Sequence, residues 1–407
     1  MKNIYFLFVL FFINPFIKAQ NAVAPTPPMG FMTWNYFADK LTEDDVKSIA
    51  NALVDNNLRD LGYQFIFIDD GWQGGRDSKN NLLPDPKKFP SGMKALADYV
   101  HSKGLKLGLY SDAAELTCAG YTGSLGFEEQ DAKTFASWGI DYLKYDYCHA
   151  PSDWKIAIER YEKMAKALQN SGRNIILGVC EWGNREPWLW AKKAGGQLWR
   201  TTADIRDKWQ SLETPKDAHD LHRTGAGILD IVNVNAELAK YSGINGWNDP
   251  DMLVIGLYGK KGPSGDLGGI GCTDTEYQSQ MSLWCLMASP LMVTCDICNM
   301  NNVTKRILTN KDAILINQDV LGIQATRIVN NDTWQIFKKP LSNGDIALGI
   351  LNISNKKQSK TLNLNELEIT NKNKSKDLWS KKEYSIKNNQ IKIEAEAHET
   401  ILLRLSK

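Results

Sequence analysis

Hydrophobic runs alternate with amphipathic stretches through the first three quarters of the chain. Short apolar segments end in polar or charged side chains, as in Phe65–Trp72, Lys106–Asp112 and Asp141–Cys148. Such runs are typical of strands that are buried on both faces of a parallel sheet. Glu43–Asn56 and Glu128–Trp138 lie between them and carry the amphipathic pattern of helices. The repeated strand–helix order predicts a parallel α/β barrel.

The same alternation predicts the other elements of this region. We expect further strands at Phe31–Asn35, Asn174–Trp182, Leu198–Asp204 and Leu291–Thr294, helices at Ser91–Lys103, Asp153–Ser171, Pro187–Ala194 and Gln278–Ala288, and a polar loop at Gly243–Asp251. The period changes to two near Val320–Gly322. Strands predicted beyond that point are Thr333–Lys338, Ile346–Ile353, Gln358–Leu364, Ile391–Ala395 and Thr400–Leu405. These short alternating strands predict a small antiparallel β-sandwich.

The first twenty residues have the pattern of an export signal. Lys2 supplies a positive start, Ile4–Ile13 is apolar, and Ile17–Gln20 offers a cleavage site after Ala19. The apolar run is short for a membrane span, so we expect no stable membrane insertion, with an uncleaved anchor as the alternative. The predicted division is therefore a signal peptide at 1–20, a barrel at 21–320 and a β domain at 321–407, in a protein exported to the periplasm or the medium.

Composition and net charge indicate which kinds of molecule the protein can bind. The chain has 407 residues and a net charge of +1, so it lacks the basic excess that nucleic acid or an anionic membrane would require. It contains 13 Trp, 14 Tyr and 13 Phe, whose flat apolar faces can stack on sugar rings, although large aromatic cores have the same composition. The sequence pattern does not predict the oligomeric state.

One predicted strand ends in a candidate nucleophile. Because side chains alternate along a strand, Tyr142, Lys144 and Asp146 face one side of Asp141–Cys148. In a parallel barrel this side is the interior, and Asp146 then lies at the C-terminal mouth, where barrel enzymes have their active sites. A lysine two residues before an aspartate can keep the carboxylate ionised, as a nucleophile requires. A structural ion pair at the strand end is the alternative.

Polar and aromatic residues end most of the other predicted strands. The candidate mouth contains Trp34, Asp69, Asp70, Tyr110, Lys144, Asp146, Glu181, Arg200, Asp204 and Asp251. Carboxylates accept hydrogen bonds from sugar hydroxyls, aromatic rings cover the C–H face of a sugar, and two carboxylates can act as a catalytic pair. This combination favours a carbohydrate site.

Metal binding is the main rival interpretation. Asp69, Asp70, Asp249 and Asp251 offer oxygen ligands of the kind that Mg²⁺ and Ca²⁺ prefer. However, Lys144 and Arg200 already balance the acidic charge, and the five histidines form no transition-metal cluster; His219 and His222 share a helix turn without further partners. We expect neither a metal nor a cofactor.

The seven cysteines leave at least one without a partner in the same chain. Cys118 and Cys148 each follow a predicted strand end, and a bridge between the two loops would clamp the mouth. Cys295 and Cys298 have a redox or metal spacing but no accompanying pair. We interpret them as structural, with a small local bridge as one form.

Eight motifs resemble those of glycoside hydrolase family 27, the retaining α-galactosidases. The motifs are Pro28-Met29-Gly30 with Trp34-Asn35, Asp69-Asp70-Gly71-Trp72, Gly104 to Tyr110, Lys144-Tyr145-Asp146, Cys180-Glu181-Trp182, Trp199 to Ile205, Gly246 to Leu253, and Ile316-Asn317-Gln318-Asp319. The resemblance implies a (β/α)₈ TIM barrel followed by an antiparallel β domain. It also implies an exo-acting enzyme that removes terminal α-D-galactosyl residues by double displacement.

The resemblance assigns a role to each matching residue. It implies that Asp146 is the nucleophile and Asp204 the acid/base, that Trp34 stacks on the sugar, and that Cys118 and Cys148 form a disulfide. The residues implied to bind the substrate are Asp69 and Asp70 at the 4- and 6-hydroxyls, Glu181 and Trp182 near the 2-position, and Tyr110, Lys144, Arg200 and Asp251 elsewhere on the ring. Animal members have a cysteine where this chain has Gly71, and the partner expected for Cys180 is replaced by Gly196.

Three further expectations concern mechanism and specificity. Lys144 and Tyr110 should keep Asp146 ionised, Asp146 should raise the pKa of Asp204, and the two carboxyl groups should lie about 5–5.5 Å apart. Alternatives are a family member with another glycone, α-N-acetylgalactosamine or β-L-arabinopyranose, and, more remotely, a non-catalytic sugar-binding barrel. The aglycone depends on rim loops such as Gly259–Cys272.

Overall fold

The structure is a computed structural model that describes residues 22–211, 225–260, 262–265 and 269–407. The predicted signal peptide, Met1–Gln20, lies outside the described residues, as do His219 and His222. Within the described part of the chain, no helix combines the length and the apolar character needed to cross a membrane.

Eight parallel strands form the core of the larger domain. In chain order the first ten strands are β1 (Met29–Met32), β2 (Phe65–Ile68), β3 (Gln73–Arg76), β4 (Leu82–Pro84), β5 (Lys106–Asp112), β6 (Tyr142–Asp146), β7 (Ile176–Val179), β8 (Leu198–Arg200), β9 (Trp247–Asp249) and β10 (Leu291–Val293). β3 and β4 make a separate hairpin, and the other eight follow the order β10-β1-β2-β5-β6-β7-β8-β9. The sheet closes where the Leu253 N–H donates to the Met292 carbonyl, at 2.7 Å, and Leu253 pairs with Val293.

Helices cover the outside of this barrel. They are α1 (Trp34–Phe37), α2 (Glu43–Asp55), α3 (Gly92–Ser102), α4 (Glu128–Trp138), α5 (Trp154–Gln169), α6 (Ile228–Asn235), α7 (Asp274–Leu286), α8 (Asn302–Leu308) and α9 (Lys311–Asn317). α2 illustrates why they form: Thr42 and Asp45 cap it by exchanging side-chain and backbone hydrogen bonds, and Val46, Ile49 and Leu53 bury one face.

The predicted barrel is confirmed, with corrections to individual elements. The segment Gly243–Asp251, expected as a polar loop, contains β9, which is only three residues long and therefore too short to show a period. The helix expected at Pro187–Ala194 is reduced to a 3₁₀ turn at Pro187–Leu189. α7 begins at Asp274 rather than Gln278, because Thr273 and Glu276 form a capping box before it.

The C-terminal part is antiparallel, as predicted. Its strands are β11 (Thr326–Asn330), β12 (Trp334–Pro340), β13 (Ile346–Asn352), β14 (Gln358–Asn363), β15 (Lys374–Asp377), β16 (Gln390–Ala395) and β17 (Thr400–Ser406). A five-stranded sheet, β11-β12-β13-β17-β15, faces the pair β14–β16 across an apolar layer. β11 and β15 were not predicted, because polar and charged residues make up most of both strands.

Helix α7 joins the two domains. Leu286 at its end lies against Gly349 of β13, where an added Cβ would be 2.3 Å from Leu286 Cδ1. Nearby, the buried ammonium of Lys339 donates to the carbonyls of Ile316, at 2.6 Å, and Cys285, at 3.4 Å. Burial lowers the pKa of Lys339 to about 8. The β domain is therefore packed onto the barrel through buried and closely fitted groups.

This packing predicts the effect of one methyl group. Gly349→Ala should lower the free energy of unfolding by about 1–3 kcal/mol, because Leu286 is fully buried and cannot move aside freely. Urea denaturation of the purified protein measures the change. The same substitution in a Leu286→Ala background should cost clearly less; equal costs in both backgrounds would mean that the two residues do not compete for space.

Candidate active site

A polar pocket opens at the C-terminal ends of the barrel strands. Its lining consists of Trp34, Asn35, Asp69, Asp70, Tyr110, Cys118, Lys144, Asp146, Trp182, Arg200, Asp204, Asp251 and Met252. All the residues predicted to catalyse the reaction or to bind the sugar are in this set except Glu181. The strands explain why: β5 and β6 pair in register, so Tyr110 lies beside Lys144 and Asp112 beside Asp146, all on the inner face.

Lys144 forms its hydrogen bond with Asp69, and its charge lowers the pKa of Asp146 as expected. Its Nζ donates to Asp69 Oδ2 at 2.9 Å, and the ammonium lies 5.3 Å from the centre of the Tyr110 ring. No hydrogen bond joins Lys144 to Asp146 among the described residues, so the lysine acts on Asp146 only through space. Lys144 can reach Asp69 because the curvature of the barrel brings the end of β2 across the mouth towards β6.

Asp70 is held by backbone amides. Its carboxylate accepts the Ala119 N–H and the Gly71 N–H, both at 2.8 Å. Burial raises the pKa of Asp70 to about 6, although these two N–H groups act in the opposite direction. The side chain is thus fixed in orientation.

Asp146 lies at the closed end of the pocket and is 4% exposed. Oδ1 accepts the Tyr147 N–H at 2.9 Å, and Oδ2 is 3.5 Å from Cys118 Sγ. Burial raises the pKa of Asp146 to about 6; the ammonium of Lys144 lowers it and the charge of Asp204 raises it further. Cys118 and Cys148 form a disulfide, with 5.0 Å between their Cα atoms, and it joins the loops after β5 and β6.

Asp204 is on the open side, with 39% of its side chain exposed. Arg200 Nη2 contacts Asp204 Oδ1 and Asp251 Oδ2, each at 3.1 Å. Burial acts to raise the pKa of Asp204, but Arg200 and Lys144 outweigh it, so the pKa is below its usual value. This corrects the expectation that Asp146 would raise it: the effect of the guanidinium dominates.

Glu181 is not brought to the pocket. Its side chain is fully buried and bonds to Arg185 Nη1 at 3.0 Å. Burial raises the pKa of Glu181 to about 7 in spite of Arg185. Trp182 lines the pocket instead, from a backbone with φ of +59°. The chain turns sharply after β7, which directs these two consecutive side chains to different places.

Two residues that line the pocket, Asn35 and Met252, were not among the predicted site residues. Asn35 Nδ2 donates to the Ile205 carbonyl at 3.0 Å and so ties the loop after β1 to the segment containing Asp204. Asn35 is a polar residue next to Trp34 in the first of the family motifs, and this position could have predicted its place in the pocket. Met252 carries no signal of its own. Cys295 and Cys298 are both free thiols, so the local bridge considered for that pair is wrong.

One group of side chains has the spacing of a metal site. Asp112, Cys118, Asp146 and Cys148 each have a potential ligand atom, and these atoms are all within 4.8 Å of one another. The two sulfurs are bonded to each other, so neither is a thiolate that could ligate. The remaining two carboxyl groups do not make a metal site by themselves.

A (β/α)₈ barrel with paired carboxylates and aromatic rings at its mouth has the construction of a glycoside hydrolase. A family model described as Alpha galactosidase A matches residues 26–319, and one described as Alpha galactosidase C-terminal beta sandwich domain matches 331–405. The chain therefore belongs to the alpha-galactosidase family of glycoside hydrolases, family 27.

Individual relatives agree over most of the chain. An alpha-galactosidase of Cyamopsis tetragonoloba is 41% identical over 93% of this chain and 86% of its own. The structure of alpha-galactosidase I from Mortierella vinacea matches with a TM-score of 0.86 at 34% identity, over 95% of this chain and 98% of its own. A Saccharomyces cerevisiae alpha-galactosidase with raffinose matches with a TM-score of 0.83 at 29% identity, over 94% and 98%.

Gly71 shows why the cysteine of animal members has no equivalent here. The residue has φ of +94°, and an added Cβ would be 2.7 Å from Asp39 Cβ. Asp39 accepts from the Tyr121 hydroxyl at 3.0 Å, and Lys88 Nζ donates to the carbonyls of Asp39, at 2.6 Å, and Gly71, at 2.8 Å. Hydrogen bonds thus hold the loop after β2 to the segment around Asp39.

Gly71→Ala should therefore displace the neighbouring Asp70. We expect kcat/KM to fall about tenfold or more, since the strain of this backbone is about 1–3 kcal/mol before any clash with Asp39. Steady-state kinetics with an aryl glycoside substrate measures the loss. Gly75→Ala is the matched control, because Gly75 has a similar φ of +98° but no atom within 4 Å of an added Cβ. Equal losses in both variants would show that strain alone, not Asp39, is responsible.

Proposed function

We propose that this protein is a retaining, exo-acting α-galactosidase. The observation that carries the proposal is the position of two carboxyl groups in one pocket: Asp146 at the closed end and Asp204 at the open side. A nucleophile has to reach the anomeric carbon from within the pocket, whereas an acid/base has to reach the leaving group and then water. The names of the relatives support galactose as the sugar.

In the proposed reaction, the Asp146 carboxylate attacks the anomeric carbon while the bond to the leaving oxygen breaks. Asp204 gives its proton to that oxygen. Water then attacks the galactosyl–Asp146 ester, Asp204 takes a proton from the water, and α-galactose leaves with its configuration retained. A carboxyl separation of about 5–5.5 Å stays a prediction of this mechanism.

The acid role of Asp204 needs a change on substrate binding. Arg200 and Lys144 hold the pKa of Asp204 below its usual value. A sugar that covers Asp204 removes water from it, and hydroxyls that engage Arg200 weaken the ion pair, and both effects raise the pKa. The acid is therefore prepared by the substrate itself.

The remaining pocket residues serve recognition in this proposal. Lys144, Arg200 and the carboxylates Asp69, Asp70 and Asp251 bind sugar hydroxyls, with Tyr110 beside them. Trp34 covers the apolar face of the ring, and Trp182 borders the 2-position. The fixed orientation of Asp70 by two amides suits discrimination of an axial 4-hydroxyl.

We also propose that the protein is exported by residues 1–20 to the periplasm or the medium, with a catalytic domain at 21–320 and a β domain at 321–407. The raffinose bound to the Saccharomyces cerevisiae enzyme supports an oligosaccharide with a terminal α-galactosyl group as the class of substrate.

Hydrolysis of p-nitrophenyl α-D-galactopyranoside, compared with the α-N-acetylgalactosaminide and the β-L-arabinopyranoside, tests both sugar and mechanism. The galactoside should be the preferred substrate, and Asp146→Asn should reduce kcat by about 10⁴-fold or more, since it removes the nucleophile with little change of volume. Asp153→Asn is the control: Asp153 caps α5 through the Ile156 N–H, at 3.0 Å, and asparagine caps equally well. Preference for another sugar would contradict the glycone, and an active Asp146→Asn variant would contradict the mechanism.

A further inference from the structure

A second carboxyl group lies beside Asp146, outside the roles described above. Asp112 ends β5, its Cα pairs with that of Asp146 on β6, and both side chains face the interior. A carboxyl oxygen of Asp112 lies within 4.8 Å of one of Asp146. Asp112 is 0% exposed and does not line the pocket, so it cannot serve as a sugar ligand in this geometry.

The hydrogen-bond partners of Asp112 in the described residues are neutral groups. Oδ2 accepts the Cys148 N–H at 3.0 Å and is 3.5 Å from the Tyr110 hydroxyl. Oδ1 is buried and makes no well-formed hydrogen bond, and the Ala114 N–H acts on the carboxyl group to lower its pKa. In the part of the chain that the structure describes, no ion pair includes Asp112. Asp146, by contrast, has Lys144 on its own strand and accepts the Tyr147 N–H.

Titratable and charged groups face Asp112 from each neighbouring element. They are Asp146 and Tyr145 on β6, Tyr110 on its own strand, Asp70 after β2, and Arg160 and Tyr161 on α5, with Arg160 donating to the Ala113 carbonyl at 2.6 Å. Apart from Arg160, which is engaged by that carbonyl, none of them is a cation. Two ionised carboxylates this close in a buried place are strongly unfavourable.

We propose that Asp112 and Asp146 hold one proton between them and that the proton resides on Asp112. Asp112 is then a positioning residue: as a neutral acid it fixes the Cys148 amide and leaves Asp146 as the charged member of the pair. No bond to Asp112 forms or breaks in the reaction, and its proton stays in place while Asp146 is esterified and released. The inference rests on the proposed role of Asp146 as nucleophile.

The electrostatics agree with this division. Burial, and then the charge of Asp146, raise the pKa of Asp112 to about 9, whereas the pKa of Asp146 is raised only to about 6. Between these values the pair carries one proton and one negative charge. An unfolded chain ionises the same group near its ordinary value of 3.8. Folding therefore takes up a proton at neutral pH, and this group makes stability fall as pH rises from about 4 to about 9.

Asp112→Asn is the decisive variant, because an amide has the shape of the neutral acid, with one acceptor for the Cys148 N–H. We expect its Tm to exceed that of the wild type, with a gap that grows between pH 5 and pH 8 to about 3 °C or more. Asp131→Asn is the control: Asp131 is also fully buried but bonds to Arg76 through two contacts of 2.7 Å, so its Tm should fall.

The pH dependence of kcat/KM distinguishes a neutral Asp112 from an ionised one. If Asp112 is neutral, Asp112→Asn leaves the charge around Asp146 unchanged, so the acid-side pKa should stay within about 0.3 units and kcat within about threefold of the wild type. An ionised Asp112 predicts instead an acid-side pKa lower by about one unit in the variant, and a Tm that falls. Either result would overturn the proposal.

A measurement on the unaltered protein needs neither substrate nor variant. With ¹³C only in aspartate carboxyl groups, one resonance should remain at the position of a protonated acid at pH 7.5 and titrate near pH 9. Loss of every such resonance by pH 7.5 would refute the shared proton even if the variant failed to fold. Because no glycoside is used, this outcome is independent of the sugar panel: inactivity on galactosides with a protonated Asp112 would reject only the proposed function.

Discussion

The mouth of the barrel depends on one constraint: each buried carboxyl group there needs a cation, hydrogen-bond donors or a proton to offset its negative charge. Seven strands bring polar ends to one small volume, and two buried cations, Lys144 and Arg200, contact three of the carboxylates there. A buried carboxylate without a cation or several donors is costly. Asp70 is stabilised by backbone amides instead, and Asp112 by a proton in our proposal. The pocket is thus a single electrostatic system in which each group determines the charge of the next.

The supporting contacts around this system restrict movement. The Cys118–Cys148 disulfide joins two loops directly at Asp146, and Lys88 joins the loop before α2 to the one after β2. Preorganised groups stabilise a charged transition state better than mobile ones, because no reorganisation is needed during the reaction.

The different roles proposed for Asp146 and Asp204 follow from how deeply each carboxyl group is buried, since both are aspartates with the same intrinsic acidity. Both are aspartates at strand ends, yet one is almost fully buried and the other is two-fifths exposed. The partly exposed one is the stronger acid, because Arg200 contacts it. A substrate that alters this contact changes the proton affinity of Asp204 in the direction that catalysis requires, so binding and acid–base chemistry are linked.

The sequence by itself determined the barrel, the β domain and most of the pocket. Strand periodicity places alternate side chains on one face, and parallel strands in a barrel share one mouth, so Lys144, Asp146 and the other strand-end residues had to meet. Tertiary structure decided which carboxylate each cation contacts, that Glu181 turns away to Arg185, and that Asp112 lies beside Asp146. Those outcomes depend on barrel curvature and on loop paths between distant segments, and on burial, none of which is a property of neighbouring residues.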